Sequence, residues 1–311
     1  MEFFHKTPTV KFLGLRKLAI GMSVVVLALA VLSLAVHGLT LGVDFTGGIT
    51  VQVSYPAPAD LRQVRSALAD AGYKDAIAQN FGTPQDVLIR LQPKKGVSGN
   101  DTGNAVLAAL HKASPQVKLE QVNYVGPEVG KDLATKGTLA FILTLGGILL
   151  YIMFRFEWRL AVGGVAATLH DVVFVIGFFS VFHIEFDLNV LAAVLAVMGY
   201  SVNDTVVVFD RIRENFRKMR KGSPYEIINT SINQTLSRTI ITSGVTLLVV
   251  IALLVLGGPV LHGFSLALFV GIIVGTYSSI YVASATAMML GLNKADLMVK
   301  RKEDQPVDDM P

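Results

Sequence analysis

Six stretches of this chain are apolar for long enough to cross a bilayer, and they fix the fold class before any other feature: Leu18–Val36, Gly137–Phe154, Leu160–Phe182, Leu188–Phe209, Thr239–Leu256 and Phe264–Leu290. A spanning helix needs about 20 mainly apolar residues, and inside hydrocarbon each backbone N–H and C=O must be satisfied within its own segment. The expected fold is therefore a polytopic α-helical membrane protein with six transmembrane helices. Composition agrees, since only 16% of residues are charged, against about 25% in a soluble domain. The first run contains Ala28-Leu29-Ala30, which has the outline of a signal-peptide cleavage site. It continues apolar to Val36, which favours a retained anchor. The sequence has no cysteine, which removes disulfides and thiol chemistry from consideration.

Charge placement orients the spans. Lys6, Lys11, Arg16 and Lys17 precede the first, and Arg155 and Arg159 lie between the second and third. Arg211, Arg213, Arg217, Lys218, Arg220 and Lys221 follow the fourth, and Lys300, Arg301 and Lys302 follow the sixth. The opposite connections, His183–Asp187 and Gly257–Gly263, carry no Lys or Arg. The positive-inside rule then makes residues 1–17 and 291–311 cytoplasmic and residues 37–136 external. The net charge of +4 reflects this topology, and it is poor grounds for nucleic-acid binding.

The external insert reads as a small folded domain. Ile49 to Tyr55 alternates apolar and polar as a half-buried strand does, and Leu61, Val64, Leu68 and Ala71 fall on one helical face. Ile77, Gln79 and Phe81 suggest a second strand, and Val87–Leu91 a third after the turn Gly82-Thr83-Pro84. Val106 and Leu110 mark a second helix, and Val117–Tyr124 a last strand. The order strand-helix-strand-strand-helix-strand predicts a ferredoxin-like α+β domain, a fold that names no function by itself.

Function is sought among polar groups that ought not to be in hydrocarbon. The fourth span contains Gly199-Tyr200-Ser201-Val202-Asn203-Asp204-Thr205. A carboxylate at the bilayer centre costs about 2.5–3.5 kcal/mol on insertion scales, so Asp204 is expected to face a protein interior or a water-filled path, with Asn203 as polar company. The alternative is a polar cluster that only packs helices. Arg238 opens the fifth span from the same side as Asp204, and the two are close enough in depth to pair. As an alternative Arg238 snorkels to the interface. His170 and Asp171 sit in mid-span of the third segment, either as a buried pair holding helices together or as part of a proton path.

Between the fourth and fifth spans, residues 210–238 read as a basic loop that becomes amphipathic. Ser223, Pro224 and Glu226 form a capping box with Pro at the first helical position. Tyr225–Ser237 is read as an interfacial helix leading into the fifth span, or else as a helix continuous with it. The basic run itself is an orientation signal and a solvated or lipid-facing patch. Trp158 between its arginines looks like an interfacial anchor. Asp44-Phe45-Thr46-Gly47-Gly48 after the first span suggests a tight structural turn joining domain and membrane. Gly126 to Lys131 has the outline of a nucleotide-binding loop but the wrong spacing and no Ser or Thr after the lysine, and it is rejected. Gly146-Gly147, Gly163-Gly164, and Gly271 with Gly275 are small residues that would let helices approach and slide.

Gly199–Asn215, reading GYSVNDTVVVFDRIREN, resembles the signature of the SecF family, membrane subunits of the bacterial protein-secretion machinery related to SecD and to transporters of the resistance-nodulation-division type. Asp44-Phe45-Thr46-Gly47-Gly48 is similar to that family's DFTGG motif, and Val125-Gly126-Pro127, Phe154 to Arg159, His170-Asp171, Gln234–Ser243 and Gly257–Val260 also fit. The resemblance runs in order from Gly14 to Gly291. It implies a subunit that pairs with SecD and uses the proton-motive force to help unfolded polypeptides leave the SecYEG channel on the periplasmic side, with YajC as a further partner. It implies the inner membrane as location, both termini cytoplasmic, and residues 37–136 periplasmic. By the same resemblance Asp204 and Arg238 are tied to proton conduction, the proton gradient replaces any cofactor, and a further key aspartate belongs to SecD.

Two rivals stand beside this reading. A proton-driven small-molecule or lipid exporter of the same superfamily would have twice the spans and two large outer domains in one chain. A non-transporting assembly scaffold would use the intramembrane charges only to hold helices together. An enzyme is not expected, since no nucleophile–base pair, metal cluster or cofactor loop is legible.

Overall fold

The computed structural model describes residues 8–92, 99–219 and 221–297. A 3-10 turn at Phe12–Leu15 leads into α1 (Arg16–Val36), and a short strand β1 (Thr40–Leu41) and a single helical turn α2 (Val43–Thr46) follow. The small domain is then β2 (Gly48–Ser54), α3 (Leu61–Asp70), β3 (Ile77–Phe81), β4 (Thr83–Leu91), α4 (Gly99–His111) and β5 (Lys118–Val125). Its strands lie in the order β3-β4-β2-β5 with every neighbour antiparallel, which is the ferredoxin-like arrangement. The alternation on β2 drives it: Ile49, Val51 and Val53 are fully buried against Val64 and Leu68 of α3 and Val106 and Leu110 of α4. Each such side chain contributes about 1.5–3 kcal/mol on burial. Asp60 caps α3 through the Arg62 amide at 2.9 Å. The chain reverses at Gly82 alone, and Thr83 and Pro84 already belong to β4, where the sequence put them in the turn.

The remaining helices are α5 (Pro127–Arg155), α6 (Trp158–Val181), α7 (Leu188–Lys218), α8 (Pro224–Leu256), α9 (Gly258–Ser278), α10 (Ser284–Met289) and α11 (Lys294–Leu297). A strand β6 (Glu185–Phe186) lies between α6 and α7, and a π-helical segment, Ser279–Ala283, joins α9 to α10. Six helical stretches are long and apolar enough to span a membrane. Helices α6, α7 and α9 form the inner layer, while α1, α5 and α8 expose most of their surface. Small residues set the inner contacts: a Cβ on Gly271 of α9 would stand 2.3 Å from Val197 of α7, and one on Gly163 of α6 would stand 2.5 Å from the Ala283 carbonyl. Gly146 and Gly147 face open space, so among the described residues nothing packs against a Cβ position at either.

The helices run past the apolar stretches that betrayed them. Helix α5 begins at Pro127 rather than Gly137. Helix α7 continues to Lys218, so the first part of the basic loop expected at 210–238 is helix, and α8 is unbroken from Pro224 to Leu256. The separate interfacial helix at Tyr225–Ser237 is therefore corrected to the opening turns of the fifth span. Hydropathy measures the bilayer, whereas helix length follows hydrogen bonding and caps. Residues 210–218 contain no Gly or Pro, and Glu214 pairs with Arg211 and Lys218. The Ser223–Glu226 capping box, with both reciprocal bonds present, starts α8. Lys6, Arg220 and Lys300–Lys302 of the charge pattern lie outside the described residues.

Domain and bundle meet at a joint built from the Asp44–Gly48 motif. Asp44 accepts a hydrogen bond from the Leu188 amide at 3.0 Å, capping α7, beside Asp187, which accepts from Val190. Gly47 adopts φ +70°, and a Cβ there would stand 2.8 Å from Pro127 Cα, so only glycine lets the motif seat on the start of α5. Strands β1 and β6 pair in parallel, and Arg90 of β4 reaches across to Glu185 at 2.8 Å and to the Leu41 carbonyl at 2.8 Å.

Candidate functional site

Two aspartates are buried in the bundle, and their surroundings differ. Asp171 on α6 is 1% exposed. Its Oδ1 lies 2.9 Å from His170 Nδ1, and its Oδ2 accepts from Ser278 of α9 at 2.7 Å and, more closely still, from Ser201 of α7. One carboxylate thus ties three helices together. The His170 ring is flanked by Phe174 and Tyr277 at centroid distances of 6.2 and 6.1 Å. Helix α9 can approach this closely because Gly275 lies against Ser201, and Ser278 stands just before the π-helical segment.

Asp204, one turn along α7 from Ser201, is equally buried at 3% exposure. It receives one long bond, from Ser243 Oγ of α8 to Oδ2 at 3.4 Å. Ser243 in turn meets Thr276 Oγ1 of α9 at 2.8 Å and accepts from Tyr200 at 3.3 Å, while Thr276 also donates to the Ile272 carbonyl at 2.8 Å. Among the described residues the second oxygen of Asp204 accepts no hydrogen bond. Every partner here is a neutral hydroxyl, able to donate to a carboxylate or accept from a carboxylic acid. When Asp204 is charged, Ser243 donates to it. When Asp204 is protonated it can donate to Ser243, whose own hydrogen turns to Thr276 while Thr276 holds the Ile272 carbonyl. Rotation of these hydroxyls lets the site hold either protonation state.

Neither residue expected beside Asp204 touches it directly. Asn203 points out of the bundle and is exposed, because successive residues on a helix diverge by about 100° and burying Asp204 turns its neighbour away. Arg238 is exposed and forms no contact ion pair with Asp204 within 4 Å, but it is near enough for its charge to act on the carboxylate, so the expected pairing is present only as a longer-range interaction. His170 and Asp171 do come together. Asp44, Phe45, Gly47 and Gly48 lie at the domain–bundle joint, far in the fold from the carboxylates, with Phe45 stacked on Phe186 at 6.3 Å. Sequence reasoning missed Tyr200, Ser201, Ser243, Thr276 and Ser278 as site residues; the only available signal was the density of hydroxyl side chains from Thr276 to Ser284 in an apolar run. The described residues contain no cluster of His, Cys, Asp and Glu able to hold a metal ion.

Comparison with known proteins agrees with this architecture. The family described as "Protein export membrane protein SecD/SecF, C-terminal" matches residues 105–293, and the SecD/SecF GG motif matches residues 32–56, which include Gly47 and Gly48. The chain is 49% identical to the protein translocase subunit SecF of Vibrio alginolyticus, over 97% of each chain. It is 47% identical to the subunit of the same name from Pseudomonas aeruginosa, over 98% of this chain and 99% of that one. These relatives are named as protein translocase subunits. Among solved structures, that of SecDF from Thermus thermophilus, a translocon-associated membrane protein, is 38% identical with a TM-score of 0.83. The match covers 93% of this chain but 39% of the solved one, so this chain spans about two-fifths of the SecDF polypeptide. A polytopic helical bundle with one ferredoxin-like domain, a paired-glycine motif at the joint and near-full-length identity to SecF subunits together establish that the chain belongs to the SecF family of protein-export membrane proteins.

Proposed function

We propose that this chain is a proton-coupled subunit of a two-part export motor, pairing with a SecD-type partner to promote polypeptide movement through a SecYEG-type channel. Family membership supports the broader role in Sec-pathway translocation. The single observation that carries the finer reading is Asp204: a carboxylate 3% exposed at membrane depth, hydrogen-bonded by one hydroxyl at 3.4 Å and in no contact ion pair among the described residues. An intramembrane carboxylate with so little to fix its charge is suited to gaining and losing a proton. One charge crossing 100 mV releases about 2.3 kcal/mol, enough to bias two packings of α7, α8 and α9 if coupling is tight. Arg238 and Asn203 face out of this chain at membrane level, where a polar surface needs a protein partner. That orientation supports a neighbouring SecD-type bundle that completes the proton path. The chain would sit in the bacterial inner membrane with both ends cytoplasmic and residues 37–136 periplasmic, on the side where the unfolded polypeptide emerges. YajC is a further candidate partner, and no cofactor is required beyond the gradient.

The test is secretion of a model protein by inverted membrane vesicles containing the whole complex, with the gradient on and off. Asp204→Asn is expected to lose the gradient-dependent part of export while assembly with the partner is unchanged. Full gradient-dependent export by the variant would overturn the proton role and leave the chain an assembly scaffold.

A further inference from the structure

A second polar concavity lies at the opposite end of the bundle from the ferredoxin-like domain, where α5 ends and α7 runs on beyond its apolar stretch. It is a cavity of about 320 Å3 lined by Arg155, Asp210, Arg213, Glu214, Arg217 and Lys218, four cations against two carboxylates. Pairing within the cluster does not exhaust the cations. Arg155 donates twice to Asp210, at 2.7 and 2.8 Å, which leaves Arg213 at 3.7 Å from the same carboxylate. Arg213 Nε is buried and has no hydrogen-bond partner among the described residues. Glu214 is shared between Lys218 and Arg211, and among the described residues Arg217 donates only to the Leu297 carbonyl, at 3.2 Å. The Phe156 ring, with the Arg155 guanidinium 4.9 Å from its centroid and that of Arg213 5.8 Å, holds both cations in position.

Around this cluster the surface changes character abruptly. Tyr151, Met153 and Phe154 at the end of α5 are exposed, Phe154 by 88%, and Trp158 is exposed beside them with Arg159 stacked at 4.5 Å. Phe154 immediately precedes Arg155 of the cavity lining, so a charged head-binding site and an exposed apolar surface meet at the end of α5. We propose that this cavity binds the phosphate of an anionic phospholipid, with Arg213, Arg217 and Lys218 on the headgroup and Phe154 against the acyl chain. Guanidinium groups suit phosphate oxygens, and basic cavities at the ends of membrane helices suit acidic lipids. A soluble phosphate would satisfy the cations but would make no use of the apolar surface.

The experiment uses the full chain in neutral detergent, with native mass spectrometry counting retained phosphatidylglycerol against phosphatidylcholine of the same chain length. Phosphatidylglycerol is expected to be retained in preference. Arg217→Gln and Lys218→Gln, both at the open rim, should each weaken that retention about fivefold. Lys17→Gln, an exposed cation at the same end of the bundle but outside the cavity, should leave it unchanged. Equal retention of the two lipids by the unaltered chain overturns the proposal. So does equal loss with Lys17→Gln, which would reduce the effect to general surface charge, or displacement of the lipid by soluble glycerol phosphate at equal concentration, which would make this a free-anion site.

Discussion

Asp171 and Asp204 are the same residue type at nearly the same burial, yet the bundle treats them in opposite ways. Asp171 is saturated: His170, Ser201 and Ser278 converge on it from three helices. Asp204 has one contact at 3.4 Å and a hydroxyl chain behind it that can reverse. Burial alone therefore does not identify a working carboxylate in a membrane. What distinguishes the two is how completely the neighbours hold each in place. Three partners from three helices fix Asp171 as a structural tie, because displacing it would forfeit all of those bonds at once. A carboxylate whose single partner both donates and accepts has no such tie built in, and that is the property a coupling group needs.

The sharpest way to break this comparison is to make one isosteric change at both positions. Asp204→Asn is expected to bring gradient-dependent export to background, because an amide cannot cycle a proton. Asp171→Asn is expected to keep most of it. The Asn oxygen can still accept from His170 and its amide can donate to Ser201 and Ser278, whose hydroxyls turn to suit. Vesicle secretion with and without the gradient measures both, and equal losses would mean that the two carboxylates share one path.

A smaller effect sharpens the same contrast through the partners. Ser201→Ala strips Asp171 of one donor and is expected to cost about 0.6–1.7 kcal/mol of bundle stability, the range of interhelical hydrogen bonds in membranes, with the gradient response intact. Ser243→Ala removes the one hydroxyl on Asp204 together with its bonds to Thr276 and Tyr200, and should cost at least as much stability while also slowing gradient-driven export. Denaturation in mixed micelles measures the stability costs and vesicle secretion separates the two, and the comparison fails if their effects on export are interchanged.

How much of this was legible in the sequence depends on the distance over which each feature is encoded. The strand-helix order of the small domain and the Ser223 cap are local patterns, and they stand in the structure where the spacing put them. The helix limits were misjudged because hydropathy registers where lipid begins, and α7 carries its helical hydrogen bonding on through charged residues to Lys218. Asp204 was legible as a polar intruder, but its company was not. Asn203 is adjacent in sequence and turned away, whereas Ser243 and Thr276 lie on other helices and converge only through the close contact of α7 with α9. The role of Asp44 was hidden for the same reason, since the amide that it caps lies 144 residues further along the chain.

The smallest expected effect sets a second pair of carboxylates, at the joint outside the membrane, against the two within it. Burial pushes Glu185 above the usual carboxylate range, although Arg90 pulls it down, and Asp187 and Asp44 add to the rise. Burial likewise raises Asp187, assisted by Asp44 and opposed by the Val190 amide. A carboxyl whose pKa is raised in the docked joint binds its proton more readily there than when released. Docking therefore tightens as pH falls from neutrality through the raised values toward the ordinary ones of 4.5 for Glu185 and 3.8 for Asp187. If the Arg90–Glu185 ion pair dominated instead, acidification would loosen the joint. Spin labels at exposed Lys74 on the domain and Leu256 at the end of α8 would report the distance between domain and bundle across that pH range. A distribution that narrows on acidification, and does so less in Glu185→Gln, places the carboxylates' desolvation above the ion pair. One that broadens reverses the order and makes Arg90–Glu185 the main restraint on the domain.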